Sequence, residues 1–133
     1  MNILLAEDDT SISIIAKLSL ERIGSHTVTA AEDGNIALEK ALTQKFDLIL
    51  LDGMMPGKDG LTVCREIQKS LPQPPPIIFL SAKSQESDIR EGLQSGAIGY
   101  IQKPFDPRTL NTEILKILEI AGRLPASGAG GAS

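Results

Sequence analysis

Residues Leu48–Gly60 read LILLDGMMPGKDG. Four apolar residues run unbroken into Asp52, and a turn containing Gly53, Pro56, Gly57 and Gly60 follows at once. A strand with one wet face alternates apolar and polar side chains, whereas a strand covered on both faces carries a continuous apolar run. The stretch is therefore read as a fully covered strand, and the question it raises is why such a strand ends on a carboxylate.

Four further runs have strand character: Asn2–Ala6 (NILLA), Thr27–Ala31 (TVTAA), Ile77–Leu80 (IIFL) and Gly99–Ile101 (GYI). With Asp47–Leu51 they make five. Segments of helical period separate them. Thr10–Ile23 places Ile12, Ile15, Ala16, Ser19 and Ile23 near one face, and Gly24 follows as a C-cap signal. Asn35–Thr43 gathers Ala37, Leu38, Ala41 and Leu42, with Asp33 before it as an N-cap. Asp59 is placed to cap Gly60–Ser70, whose inner face is Leu61, Cys64 and Ile67. Gln85–Ser95 is mostly polar, with Ile89 and Leu93 four apart and Gly96 as its stop. Pro107–Ile120 carries Leu110, Ile114, Ile117 and Leu118, followed by Ala121, with Asp106 preceding a first-turn proline. The LPQPPP run, Leu71–Pro76, fits neither a helix nor a central strand and is read as a stiff loop. Strand and helix alternate five times, which predicts an α/β fold: a parallel sheet with helices on both faces.

In an open parallel sheet the carboxyl ends of all strands lie along one rim, and ligands bind there where the strand order reverses. The first strand runs into Glu7, Asp8 and Asp9, the third into Asp52, the fourth into Ser81 and the fifth into Lys103. Carboxylates gathered so closely repel one another and raise each other's pKa. A divalent cation relieves that repulsion, and an oxygen-only donor set without His or Cys suits a hard ion such as Mg²⁺. One Asp is then free to attack phosphorus as a nucleophile, with the ion and a lysine neutralising the phosphoryl oxygens and a hydroxyl donating to another.

The chain has 133 residues, the length of one domain, and is 41% hydrophobic and 23% charged. It contains no apolar run of membrane-spanning length. The start MNILLAEDD has no basic region ahead of its apolar run and is not read as a signal peptide. The one cysteine, Cys64, excludes an internal disulfide and fits a reducing, cytoplasmic setting. A net charge of −4 argues against direct nucleic-acid binding by this domain. Arg123–Ser133, RLPASGAGGAS, has almost nothing to pack. The domain is therefore expected to span residues 1–121, and residues 122–133 to be a flexible linker or an expression-derived tail.

The residues AEDD, LILLDGMMPGKDG, IIFLSAK and GYIQKPF, in this order and at these separations, resemble the receiver domain of two-component response regulators. The resemblance covers Met1 to about residue 121. It implies the (βα)5 doubly wound, flavodoxin-like fold of chemotaxis regulators, with five parallel strands in the order 2-1-3-4-5. It implies Asp52 as phospho-acceptor, Asp8 as a direct Mg²⁺ ligand, Glu7 acting through water, and Met54 lending its backbone carbonyl to the ion. Mn²⁺ is expected to substitute. Ser81 is implied as the switch hydroxyl, Lys103 as the phosphoryl-pairing lysine before a cis proline, and Tyr100 as the aromatic that turns inward. The small Ala82 is implied to leave the acceptor open. The implied donor is a histidine kinase or histidine phosphotransfer protein. The implied output is a change in the face formed by the fourth helix, fifth strand and fifth helix, read by a target protein or by a second copy. The resemblance also implies that the domain catalyses its own phosphorylation and dephosphorylation, and is not an enzyme acting on a separate substrate.

Taken singly, these residues have plainer readings. Asp52 alone is a turn cap, Glu7–Asp9 an N-cap cluster, Ser81 a turn residue and Lys103 an exposed lysine. Their shared rim decides for chemistry. Asp9 or Thr10 is read as the helix cap, so Asp9 is left out of the metal set. Tyr100 on a strand ordinarily packs with its hydroxyl in water. Cys64 is read as core, His26 as a surface residue, and Met54 and Met55 as loop packing. Three rivals remain. A receiver-like scaffold that is never phosphorylated would usually lack some of these positions. An aspartyl-nucleophile phosphatase would want a second Asp where Met54 stands. A flavodoxin-like cofactor binder would want a hydroxyl-rich loop where AEDD stands.

Overall fold

The computed structural model describes residues 1–125. Along them the elements alternate as β1 (Asn2–Ala6), α1 (Thr10–Arg22), β2 (Thr27–Ala31), α2 (Gly34–Thr43), β3 (Leu48–Leu51), α3 (Gly60–Ser70), β4 (Ile77–Ser81), α4 (Glu86–Gln94), β5 (Gly99–Gln102) and α5 (Leu110–Ile120). The five strands pair in parallel in the order β2-β1-β3-β4-β5. Residues 126–133, most of the expected tail, lie outside the described residues. The stretch just before them is attached: the Arg123 amide donates to Leu118 O at 2.8 Å, and its guanidinium donates to Pro74 O at 3.1 Å.

Both faces of the sheet are covered. Ile3, Leu5, Leu48, Leu50, Ile78 and Leu80 point to one side, against Ala16 and Leu20 of α1 and Leu110, Ile114 and Leu118 of α5. Leu4, Ala6, Ile49, Leu51, Ile77 and Phe79 point to the other, against Ala37 and Ala41 of α2 and Val63, Cys64 and Ile67 of α3. Alternate residues of β3 thus serve opposite cores, which is why all four are apolar and buried. Asp33 and Asp59 cap as expected, accepting from the amides of Ile36 and Thr62, each at 2.8 Å. Gly96 ends α4 with φ +115°.

The inner face of α1 differs from the expected one. The helix buries Ala16, Ser19 and Leu20, while Ile15 is 46% and Ile23 54% exposed. Apolar residues surround this helix, with Ile14 and Leu18 also outside, so periodicity alone does not select a face. Close approach to α5 and the turn before it does: Ser19 Oγ donates to Pro107 O in that turn, a contact open to a small side chain. Likewise Ala121 is exposed, Leu42 and Leu93 are largely outside, and Val63 joins the core of α3. Gly24 keeps an ordinary φ, and the left-handed residue after α1 is Ser25, with φ 56°. Helix α5 begins at Leu110 and not at Pro107, because Asp106 O accepts from both Thr109 and Leu110 amides at 3.0 Å in a preceding turn. Among the described residues no helix is long and apolar enough to cross a membrane.

Candidate functional site

Strand register assembles the site. Ala6 pairs with Leu51 across β1 and β3, so Glu7 and Asp52 leave the sheet side by side, and the Asp52 amide donates to Ala6 O at 3.0 Å. Ser81 pairs with Gln102 across β4 and β5, and the Lys103 amide donates to Ser81 O at 2.9 Å. The crevice between β1 and β3 is where the strand order reverses, the usual ligand position of an open α/β sheet.

Glu7, Asp8 and Asp52 each offer a carboxylate oxygen, all within 4.8 Å of one another. Glu7 and Asp52 are buried and Asp8 is exposed at the mouth. The Lys103 ammonium lies 3.3 Å from Asp52 Oδ2 and forms an ion pair with Glu7 Oε1. Glu7 Oε2 accepts from the Asp9 amide at 3.0 Å, and Asp52 Oδ1 from the Met54 amide at 3.1 Å. Burial pushes the Asp52 carboxyl up to about 7. The Met54 amide opposes that rise, the Glu7 carboxylate adds to it, and the Lys103 charge opposes it. Burial works against the Lys103 ammonium, but its hydrogen bond to Glu7 and the charges of Asp52 and Glu7 outweigh burial and lift its pKa.

Asp9 stands apart from the acidic cluster, with its carboxylate capping α1 on the Ile12 amide at 3.1 Å. Ser81 is wholly buried. Its hydroxyl accepts from the Lys83 amide at 3.2 Å, and it lies so near the turn after β3 that a Cβ on Gly53 would meet it at 2.9 Å. The Lys103–Pro104 bond is cis. Met54 is joined to Asp52 through its backbone, while its side chain is 58% exposed. Tyr100 is not among the carboxylates. Its hydroxyl donates to Lys83 O at 2.9 Å and its ring stacks on Phe79 at 5.7 Å. The backbone of Lys83 therefore touches the hydroxyls of both Ser81 and Tyr100, a link through the Lys83 main chain that no residue pattern announces.

Two readings outside the site also resolve. Cys64 is core, its thiol donating to Ser95 O at 3.5 Å, and burial pushes its pKa up. His26 is not a free surface residue: its Nδ1 faces the Met1 amine at 3.1 Å and its Nε2 faces Asn111 Oδ1 at 2.7 Å. Burial lowers its pKa.

Fold and rim together define an open, doubly wound α/β domain with an acidic, lysine-paired pocket at its strand-order reversal. A family model, the response regulator receiver domain, matches residues 3–115. The alkaline phosphatase synthesis transcriptional regulatory protein PhoP of Bacillus subtilis is 43% identical over 116 residues, covering 87% of this chain and 48% of that protein. The transcriptional regulatory protein AfsQ1 of Streptomyces coelicolor is 42% identical over 117 residues, 88% of this chain and 51% of that one. Among solved structures, the receiver domain of the Francisella response regulator 1452 superposes with a TM-score of 0.80 at 32% identity, covering 90% of this chain and 98% of that one. The chemotaxis response regulator CheY4 of Vibrio cholerae gives 0.79 at 31%, covering 88% and 98%. The chain belongs to the receiver domain family of two-component response regulators. It spans about half the length of the curated relatives it matches.

Proposed function

We propose that Asp52 accepts a phosphoryl group from a histidine kinase or histidine phosphotransfer protein, and that the transfer depends on Mg²⁺, which Mn²⁺ can replace. The observation that carries this reading is the convergence of Glu7, Asp8 and Asp52 within 4.8 Å, with Lys103 closing the far side. The donor set fits a hard dication: it is all oxygen, and two of its three carboxylates, Glu7 and Asp52, are buried. Asp8, Asp52 and the Met54 carbonyl would hold the ion, with Glu7 acting through water. Its charge would offset that of the carboxylates and the phosphoryl oxygens.

An Asp52 carboxylate oxygen forms the new P–O bond as the donor's P–N bond breaks, and the departing imidazole takes up a proton. Lys103 pairs with a phosphoryl oxygen. Ser81 turns its hydroxyl from the Lys83 amide to donate to another. Tyr100, held on the same backbone at Lys83 O, responds, and the face of α4, β5 and α5 changes for a target protein or a second copy. Attack of water on phosphorus restores the carboxylate. The domain itself supplies the groups for both steps. A difference of a few kcal/mol between two states is enough for such a switch. We place this domain in the cytoplasm. We take the domain itself not to bind nucleic acid, in keeping with its net charge of −4. The unphosphorylated-scaffold reading has no observation in its favour, because every site position is filled.

Incubation with acetyl phosphate and Mg²⁺ tests the reading. The wild type should be labelled, Asp52→Asn should stay blank, and chelation should abolish the label. Equal labelling of Asp52→Asn would overturn it.

A further inference from the structure

Helix α4 rests on the sheet at one fully buried residue, and that residue has no side chain. Gly92 is buried, its neighbours Asp88 and Ile89 are half-buried, and Leu93 is 43% exposed. A Cβ at Gly92 would lie 3.1 Å from Phe79 Cδ2 and 3.2 Å from both Tyr100 Cδ2 and Cε2. The bare backbone of α4 thus lies directly on the stacked pair, whose rings are 5.7 Å apart and 25° from parallel. Phe79 is a core strand residue and cannot yield. The groups free to move are the Tyr100 ring and α4.

We propose that Gly92 is a positioning residue that ties the location of the Tyr100 ring to that of α4. The proposal rests on Tyr100 acting as a switch, as read above. With glycine the ring fits beneath the helix and its hydroxyl reaches Lys83 O. With any side chain the ring and the helix compete for the same few tenths of an ångström, and the ring-in state loses population.

Tyr100 is the single tyrosine and there is no tryptophan, so intrinsic fluorescence reports this ring alone. With beryllofluoride and Mg²⁺ present, acrylamide quenching of Tyr100 in Gly92→Ala should be about twofold above that of the wild type treated alike. The outward neighbour Leu93→Ala should quench like the wild type. Both variants should still be labelled by acetyl phosphate and Mg²⁺, since neither residue touches the carboxylates. If Gly92→Ala quenches like the wild type and melts no lower, which helix preference for alanine alone predicts, the proposal is overturned. Loss of labelling in every protein, wild type included, would strike the acceptor reading instead. Should Gly92→Ala fail to fold, the wild type with beryllofluoride and Mg²⁺ decides. Tyr100 quenching and amide exchange at 92–95 should change together. Change in the tyrosine alone, or in neither, overturns the coupling.

Discussion

Asp52 is held by its fold in a state it does not favour. The native carboxyl titrates at about 7 against an ordinary 3.8, mainly because it is buried. Between those values the native state binds more protons than the unfolded chain, so in the absence of metal this group lowers stability as pH rises from about 4 to 7. The penalty is complete above that window. Asp52→Asn removes it. Urea titrations should show the variant more stable than the metal-free wild type by on the order of 1–3 kcal/mol at pH 8, and nearly equal at pH 4. His26 has the opposite sense. Its pKa is lowered, chiefly by burial, so its contribution is whole above the ordinary 6.5 and shrinks as pH falls below it. In His26→Gln the stability difference from the wild type should narrow between pH 7 and pH 5.

The elements are held to the sheet unequally. α1, α2, α3 and α5 each bury two or more side chains, whereas α4 buries Gly92. Hydrogen exchange should therefore find the α4 amides less protected than those of α3. On α1, Leu20→Ala should cost about 2–5 kcal/mol, while Leu18→Lys, at 45% exposed, should stay within about 0.5 kcal/mol of the wild type. That contrast marks where residue patterns inform and where they do not. The limits of β1, β2 and α3 were legible to the residue, since apolar runs, capping Asp residues and flanking turns all agree there. The buried face of α1 was not, because a helix apolar all round carries no directional signal and its face is settled by contact with α5. The start of α5 was misplaced because Pro107 serves a turn as well as it serves a first helical turn. Asp59→Ala should cost about 1 kcal/mol at neutral pH. Its carboxyl is held below the usual range by the Thr62 amide, so that contribution fades as pH falls through the native pKa.

At the scale of the molecule, the site is a product of topology. Its residues come from the ends of four strands, β1, β3, β4 and β5, far apart in the chain, and a parallel sheet can only deliver such ends to one rim. That made the meeting of Glu7, Asp8, Asp52, Ser81 and Lys103 at one rim legible in the sequence. The Lys83 backbone link and the bare patch at Gly92 were not, since both depend on how loops and helix α4 settle onto the finished sheet. On the proposed function, the same convergence would couple metal to folding. Mg²⁺ at about 100 times its dissociation constant should stabilise the domain by about 2.7 kcal/mol, and in Asp52→Asn the gain should be much smaller.

The most direct test of the central claim is chemical mapping of the acceptor. After acetyl phosphate and Mg²⁺, borohydride reduction of the acyl phosphate and peptide mass analysis should place homoserine at position 52 and nowhere else. Homoserine at another aspartate, or equal modification after chelation of the metal, would contradict the account.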